Sequence, residues 1–160
     1  MKLQFSAGGI VLRQAQDFGS KPQFSKRKFE VLVCQHSQHH GWVFPKGLIE
    51  GNVRGEKKSA FAKGYGETKE ETAIREVEEE TGIEAKIVKA LTPVTYWFKF
   101  QNETIKKTVY YFLMEYTGGD IKKHDFEMEN VEWIPMDQVE KRLTYLSDKK
   151  VWKQAKELIR

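Results

Sequence analysis

Short apolar runs separated by polar, glycine-containing stretches occupy most of the chain. Runs of this length that are rich in β-branched and aromatic residues are typical of strands. The sequence predicts strands at 10–12, 29–34, 42–44, 83–91, 92–99, 107–116 and 131–134. Gly8-Gly9 is expected to form a flexible turn before the first strand, and the first two strands are expected to pair.

Polar stretches that contain Gly, Pro or Asn mark the expected connections. Residues 14–28 and 48–66 are predicted to be loops, and Pro45-Lys46-Gly47 is expected to break the strand at 42–44. Asn102 lies in the connection between two strands, and Gly118-Gly119 is expected to form a turn.

Two segments have a helical period instead. From Thr68 to Thr81 apolar residues recur at three- and four-residue spacing, with Thr68 and Glu71 placed as a capping box and Gly82 as a C-terminal stop. A second amphipathic helix is predicted at 149–159. Because strands dominate and helices are few, the sequence predicts a mixed α/β sandwich.

Composition narrows the class of protein. Hydrophobic residues make up 39% of the 160 residues and aromatic residues 12%, which suits one folded domain spanning 1–160. No apolar run approaches the roughly 18 residues of a membrane span, and the first residues lack the layout of a secretory signal. Cys34, the single cysteine, occupies a predicted buried strand position. The expected location is the cytoplasm, without membrane contact.

The charge balance is mildly basic, with a net charge of +4 and a pI near 9.0. Small lysine clusters account for it and most simply form a solvated surface, although a basic field would also favour polyanionic substrates. The sequence contains no zinc-finger spacing or aromatic RNA-binding motif. Charge alone therefore leaves the class of ligand open.

Four carboxylates within five positions, at residues 76 and 78–80, stand out in the first predicted helix. Helix geometry puts Glu76, Glu79 and Glu80 on one face and Glu78 on roughly the opposite side. Arg75, four residues before Glu79, can brace it. Converging carboxylates repel one another unless a divalent cation such as Mg²⁺ joins them. Spacing alone leaves two alternatives open, a metal site and a solvated acidic face.

The residues around this cluster resemble the box of the Nudix hydrolases. That box runs Gly, five residues, Glu, seven residues, Arg-Glu, an aliphatic residue, any residue, Glu-Glu, any residue, Gly and an aliphatic residue. Glu67 and the segment REVEEETGI at 75–83 meet every fixed position from the first Glu onward. The segments SAGGIVLR, WVFPKG, KKTVYYFLMEY and VEWIPMDQV are also similar, so the resemblance covers nearly the whole chain. It implies an α/β/α sandwich with a mixed β-sheet between helices.

One position departs from the box. Gly47 precedes Glu67 by twenty positions rather than six, and Phe61 stands at the expected glycine. An insertion of fourteen residues within 48–66 accounts for the difference. Such a loop would lie at the mouth of the site, where it either contacts substrate phosphates or has no catalytic part, and the second alternative is favoured.

The resemblance implies hydrolysis of a nucleoside diphosphate linked to a further group, with Mg²⁺ or Mn²⁺ as cofactor. Its metal ligands would be Glu76, Glu79 and Glu80, together with the backbone carbonyl near Lys46-Gly47. Arg75 would orient Glu79, and Glu67 would have a structural or electrostatic part. The general base would be Glu79, Glu80 or a carboxylate from a distant loop.

Within the family, the chain is most similar to the dinucleoside (diadenosine) polyphosphate hydrolases. Glu127, six residues before Trp133, matches a functional Glu of those enzymes and is a further candidate for catalysis and metal binding, with Asp125 and Glu129 as rivals. Lys46 and Lys107 would bind phosphates. Four aromatic residues are available to stack on adenine, although strand aromatics are more often core residues: Tyr96, Trp97, Tyr110 and Tyr111.

Several alternatives remain within this interpretation. The substrate could instead be a nucleoside triphosphate, a diphosphoinositol polyphosphate or the 5′ pyrophosphate of RNA, and RNA is not favoured as a partner. A non-catalytic nucleotide sensor would require a broken box, whereas all its acidic positions are intact. The histidines at 36, 39 and 40 are expected to be surface residues rather than zinc ligands. A monomer and a homodimer remain equally open.

Overall fold

The structure, a computed structural model, describes residues 1–15, 29–49 and 66–159. Its strands are β1 (Lys2–Gln14), β2 (Phe29–His36), β3 (Trp42–Val43), β4 (Lys46–Leu48), β5 (Ile83–Ala90), β6 (Val94–Phe100), β7 (Glu103–Gly119) and β8 (Met128–Pro135). Its α-helices are α1 (Lys69–Thr81), α2 (Val139–Arg142) and α3 (Leu146–Ile159), with single 3-10 turns at 121–123 and 136–138. No helix within these ranges is long and apolar enough to cross a membrane.

The strands form one mixed sheet in the order β3-β2-β1-β7-β5, with β4 paired to β1, β6 to β7 and β8 to β2. The long strands β1 and β7 run parallel, with Leu3 opposite Lys106 and Leu12 opposite Glu115. All other pairings are antiparallel, including the predicted pairing of β1 with β2.

Alternation along β1 separates two buried clusters. Ile10 belongs to a cluster that also contains Trp152 of α3, whereas its neighbour Val11 belongs to a cluster with Val77 of α1. Because successive strand residues point to opposite faces, α1 and α3 cover opposite faces of the sheet. This arrangement confirms the predicted α/β/α sandwich with a mixed sheet between helices.

The first helix begins and ends where its sequence predicts. The Thr68 hydroxyl oxygen accepts the Glu71 N–H at 3.1 Å, which confirms Thr68 as the N-cap. The Glu71 carboxylate accepts from the Thr68 hydroxyl at 3.1 Å, whereas a full capping box has it accept the backbone N–H of the N-cap residue. Gly82 adopts φ 77° and donates its N–H to the Glu78 carbonyl oxygen. The left-handed conformation favours glycine and ends the helix.

Both glycine pairs that were predicted to form turns lie inside strands, so those predictions were wrong. A β-carbon on Gly8 would lie 2.2 Å from the Pro45 carbonyl oxygen, and one on Gly9 would lie 2.5 Å from the Met114 sulfur atom. These glycines permit close approach of neighbouring chain rather than a change of direction. Gly118-Gly119 likewise belongs to β7, although Gly119 has φ 89°.

The structure also corrects several element boundaries. The strand predicted at 42–44 ends at Val43, before Pro45, as expected, but Lys46–Leu48 then forms a new strand that pairs with β1, with Gly8 opposite Lys46. The strand predicted at 107–116 extends over Glu103–Gly119, and α3 begins at Leu146 rather than at residue 149. Most of the predicted loop 14–28 and of the insertion 48–66 lies outside the described residues, so the insertion stays a prediction.

Candidate functional site

A cavity of about 980 Å³ opens between the C-terminal end of α1, strand β6 and the N-terminal end of α3. Eighteen residues line it: His36, Gln38, His39, Val43, Phe44, Lys46, Glu80, Tyr96, Phe98, Phe100, Lys107, Glu127, Met128, Thr144, Tyr145, Leu146, Ser147 and Asp148. Its size falls at the upper end of the range of small-molecule pockets, roughly 300–1,000 Å³. Five of the predicted site residues, at positions 46, 80, 96, 107 and 127, are among them.

Two carboxylates of α1 lie directly against the backbone of β4. The Glu80 side chain is 4% exposed, and its Oε2 accepts the Lys46 N–H at 3.0 Å. Glu76 lies so close to Gly47 that a β-carbon at Gly47 would be 2.0 Å from the Glu76 carboxyl carbon. Glycine at position 47 therefore leaves room for the Glu76 carboxylate against β4.

The electrostatics of this pair disfavour its charged form. Burial raises the pKa of Glu76, although Arg75 partly offsets the effect. Burial raises the pKa of Glu80 well above its usual value, and the negative charges of Glu76 and Glu127 raise it further. A nearby cation would relieve both effects, because it stabilises ionised carboxylates and offsets their mutual repulsion.

Arg75 connects the acidic residues into a network. Its Nε and Nη2 donate to the two carboxylate oxygens of Glu67, each at 2.9 Å, while its Nη1 donates to Glu76 at 2.9 Å and to Glu79 at 3.0 Å. The expected contact between Arg75 and Glu79 is therefore present. Glu67 also accepts a hydrogen bond from the Thr72 hydroxyl at 2.7 Å, as expected for a structural role.

A braced loop brings Glu127 to the same end of the cavity. The Asp125 N–H donates to the Glu79 carbonyl oxygen at 3.1 Å, and the Ser37 N–H donates to the Glu127 carbonyl oxygen at 2.9 Å. Among the three rival acids only Glu127 lines the cavity. The Asp125 carboxylate accepts the Glu127 N–H, and Glu129 is paired with His40 at 2.6 Å.

The described residues hold no preassembled group of three or more His, Cys, Asp or Glu side chains at metal-binding distances. The donor set nevertheless fits a hard divalent cation, because it offers carboxylate oxygens and backbone carbonyls and no soft ligand. Within it Glu80 is buried and Glu76 partly buried, both with raised pKa values, and Glu79 is 53% exposed beside Arg75. A bound cation would stabilise the ionised form of these carboxylates.

Two lysines make the middle of the cavity basic. Burial tends to lower the pKa of Lys46, but the charges of Asp148 and other anionic groups outweigh it, so that pKa is raised. Burial and the positive charge of Lys46 lower the pKa of Lys107 to about 8. Both side chains line the cavity, where they can meet an anionic ligand.

The four aromatic candidates for base stacking lie in different environments. Tyr96 lines the cavity, but Tyr111 does not: it is 3% exposed within the core and its hydroxyl donates to Asp148 at 3.3 Å. Tyr111 thus lies in the core behind the cavity wall, which argues against the predicted contact with substrate. Trp97 is 59% exposed, with the Lys106 ammonium 5.6 Å from its ring centroid, and Tyr110 lies beside Lys69.

Sequence reasoning missed several cavity residues. Phe98 and Phe100 follow Tyr96 at every second position of β6, so the alternation of a strand could have identified them. Tyr145 lies just before α3 and Asp148 in its first turn, and neither carries a local signal. His39 joins the wall because its Nδ1 lies 2.9 Å from the Tyr145 hydroxyl and its ring stacks on His36.

The sequence belongs to a known family: a family model described as NUDIX domain matches residues 22–157, so the chain is a member of the Nudix family. This match confirms the resemblance noted in the box. The chain is 38% identical over 118 residues to MutT4 of Mycobacterium tuberculosis, an alignment that covers 74% of the chain and 42% of that protein. It is 31% identical to an "8-oxo-(d)GTP phosphatase" of Mycolicibacterium smegmatis, over 91% of the chain and 39% of that protein.

A third relative matches over most of both proteins. The "Bis(5'-nucleosyl)-tetraphosphatase [asymmetrical]" of Rattus norvegicus is 29% identical, over 73% of the chain and 71% of that protein. Among solved structures, a C. elegans Ap4A hydrolase binary complex superposes with a TM-score of 0.69 at 21% identity, covering 98% of the chain and 97% of that protein, which shows the shared fold. The chain spans about two fifths of the length of the two mycobacterial relatives.

Proposed function

We propose that the protein is a metal-dependent hydrolase that cleaves a phosphoanhydride bond of a nucleoside diphosphate-linked compound by attack of water. The observation that carries this proposal is the buried Glu80 with the partly buried Glu76, held against the β4 backbone at one end of a nucleotide-sized cavity. Within the described residues Glu80 has no ion pair at 4.0 Å or less, and a buried carboxylate without a charge partner is costly, which supports a cation-binding role. Membership of the Nudix family supports the same chemistry.

The cofactor proposed for this site is Mg²⁺ or Mn²⁺. Its ligands would be the carboxylates of Glu76, Glu79, Glu80 and Glu127 and the backbone carbonyl of Gly47. When bound, such an ion neutralises phosphate charge and lowers the pKa of a bound water.

The protein's own groups supply position and proton transfer. Arg75 holds Glu79 and Glu76 through charge-assisted hydrogen bonds, and Glu67 in turn fixes the guanidinium from the other side. The general base is Glu79, Glu80 or Glu127. The last of these borders the cavity on a hydrogen-bonded loop and is open to water, which suits proton removal from an attacking water molecule.

Within this class we propose a dinucleoside polyphosphate, such as diadenosine tetraphosphate or hexaphosphate, as substrate. Lys46 and Lys107 would bind the polyphosphate, and Tyr96 would stack on a base. The names of the rat relative and of the C. elegans structure support this class. A nucleoside triphosphate is the second candidate, and the name of the M. smegmatis relative supports it.

Product analysis of the purified protein with Mg²⁺ tests the proposal. The panel contains diadenosine tetraphosphate, diadenosine hexaphosphate, nucleoside triphosphates, ADP-ribose, a diphosphoinositol polyphosphate and 5′-triphosphorylated RNA. Release of ATP from diadenosine tetraphosphate is expected. Cleavage of another compound alone would keep the chemistry and reject the subclass. Nucleotide binding without any cleavage would instead support a nucleotide sensor.

The remaining features of the proposal concern the protein as a whole. We propose that residues 1–160 form one Nudix domain, with 48–66 as an insertion in the box, and that it acts in the cytoplasm as a monomer or homodimer. The buried single cysteine supports a reducing compartment, because burial raises the pKa of the Cys34 thiol and no second cysteine exists.

A further inference from the structure

The hairpin formed by β6 and β7 has two faces with different surroundings. Phe98 and Lys107 line the cavity from one face. Because side chains alternate along a strand, Trp97 and Lys106, which lie opposite each other, point to the other side of the sheet. The surface on that side is called the hairpin face, and six residues form it: Thr95, Trp97, Lys99, Thr104, Lys106 and Thr108. None of them has a part in the proposed reaction.

The hairpin face carries positive charge and contains no acidic side chain. Within residues 1–15, 29–49 and 66–159, neither Lys99 nor Lys106 forms an ion pair at 4.0 Å or less. The hydroxyl oxygens of Thr95 and Thr108 lie 3.2 Å apart on the same surface. The face therefore offers cations and hydroxyl groups, which complement an anionic ligand.

Two aromatic rings on this side of the sheet each lie beside a lysine ammonium. Trp97 is 59% exposed, and the Lys106 Nζ lies 5.6 Å from its ring centroid. Tyr110 is half-buried on the α1 side of β7, and the Lys69 Nζ of α1 lies 5.0 Å from its ring centroid. Tyr110 follows Lys106 by four residues, so the two pairs are about 13 Å apart along the strand. Each pair offers a ring for stacking and a cation for a phosphate.

A ring beside a cation, repeated along a strand, suits a ligand in which planar bases alternate with phosphates. Aromatic side chains stack on unpaired bases of any sequence, and lysines neutralise the phosphates between them. An acidic peptide would match the lysines but does not provide a planar ring at each step. A membrane surface would require a group of projecting apolar side chains, and Trp97 is the one large apolar residue of the hairpin face.

We propose that the hairpin face, together with Tyr110 and Lys69, binds single-stranded nucleic acid. Trp97 and Tyr110 stack on bases, and the neighbouring lysines contact phosphates. The site lies on the opposite side of the sheet from the cavity, so binding there does not require the nucleic acid to be a substrate.

Fluorescence anisotropy of labelled oligo-U and oligo-dT, each of about twelve nucleotides, tests this site in EDTA without turnover. Wild-type protein should bind both with a Kd of roughly 1–100 μM near physiological salt. It should bind the corresponding duplexes more weakly, because paired bases cannot stack on the two rings. Trp97→Ala should weaken binding of the single strands about tenfold. The matched control is Phe100→Ala, which removes a ring of equal exposure, 59%, from the cavity side of the same strand and should keep the wild-type Kd.

The salt dependence of binding tests the lysines separately from the rings. Each phosphate contact to a single strand adds about 0.7 to the slope of log Kd against log salt concentration, so Lys106→Gln should lower that slope by this amount. Lys86→Gln makes the same change of charge in β5, where Lys86 is paired with Glu115, and should leave the slope unchanged.

Several results would overturn the inference. They are a wild-type Kd above about 1 mM, binding of the duplexes as tight as that of the single strands, and an unchanged Kd in a folded Trp97→Ala protein. Weaker binding in Phe100→Ala but not in Trp97→Ala would place the nucleic acid in the cavity instead. Binding to phosphatidylserine vesicles without binding to either oligonucleotide would make the hairpin face a membrane contact.

Discussion

The carboxylates of α1 occupy positions that the helix itself disfavours. Glu78, Glu79 and Glu80 lie in the last turn, which contains no basic residue. The partial negative charge at a helix C-terminus repels acidic side chains, typically by about 0.3–1 kcal/mol each. Only Glu79 among these three is paired with a cation in the described structure. A local cost of this kind is expected where residues serve a site rather than the stability of their own helix.

At the residue scale, we predict that Glu80→Gln lowers kcat at least about a hundredfold. The variant keeps the shape of a side chain that is 4% exposed but removes a charge that burial disfavours. The metal-free protein should therefore be as stable as wild type or more stable. Turnover assays and thermal unfolding in EDTA and in Mg²⁺ measure both effects, and the rise in Tm on adding Mg²⁺ should shrink.

The matched control is Glu78→Gln, because Glu78 belongs to the same helix turn but is exposed and does not line the cavity. It should keep near wild-type turnover and the full stabilisation by Mg²⁺. Equal behaviour of the two variants in both assays would contradict the assignment of Glu80 to the metal site.

At the scale of elements, the site depends on the distance between α1 and β4. Gly47 brings the strand against the Glu76 carboxylate, and the Lys46 N–H reaches Glu80. Arg75 forms ion pairs with both Glu67 and Glu76, which also fixes the position of the Glu76 carboxylate. The helix and strand therefore have to stay in close contact for the carboxylates to converge.

We predict that Gly47→Ala displaces the Glu76 carboxylate from its place against β4. The new β-carbon would lie 2.0 Å from the Glu76 carboxyl carbon, so the end of this side chain has to turn away. Because the end of a flexible side chain can move without shifting the backbone, the free energy of unfolding should change little. A displacement of about 1 Å at a catalytic group can lower turnover roughly a hundredfold. Denaturant unfolding and steady-state kinetics measure both quantities.

Leu48→Ala provides the comparison, because Leu48 lies in the same strand and is 51% exposed. Its stability and turnover should stay close to wild type. Wild-type turnover in Gly47→Ala would show that the position of the Glu76 carboxylate against β4 is not needed for catalysis.

At the scale of the whole molecule, the cavity combines charges from distant parts of the chain. Lys107 of β7 faces the same space as Lys46 of β4, and burial with the charge of Lys46 lowers its pKa to about 8. Lys107 is thus charged at pH 7 and increasingly neutral above pH 8. A phosphate-binding lysine loses its function when it loses its proton.

We predict that kcat/KM falls by up to roughly fivefold between pH 8 and pH 9, because this ratio reports ionisation of the free enzyme. The charged form of Lys107 prevails below the lowered pKa, so the loss occurs as the pH rises. Lys107→Arg should remove this fall, since arginine stays charged throughout the range. Profiles of kcat/KM against pH, measured for both proteins at constant ionic strength, check these two expectations. If kcat/KM falls equally in Lys107→Arg, ionisation of Lys107 does not cause the fall.

Local patterns in the sequence determined a large part of this protein. The N-cap at Thr68, the stop at Gly82 and the strand alternation all depend on residues a few positions apart, and the structure confirms them. The spacing of the acidic box likewise placed Glu76 and Glu80 on one helix face, because helix geometry follows directly from spacing. These features led to both the fold class and the family.

Only the tertiary structure decided which side chains meet in the cavity. Tyr111 and Asp148 are 37 positions apart and Phe44 and Asp148 are 104 apart, yet both pairs form hydrogen bonds. Tyr111 is buried in the core, and Asp148 lines the cavity. The glycines of β1 were mistaken for a turn because the chain they accommodate comes from Pro45 and Met114. Contacts across such separations depend on how strands and helices pack, and spacing along the chain does not record that packing.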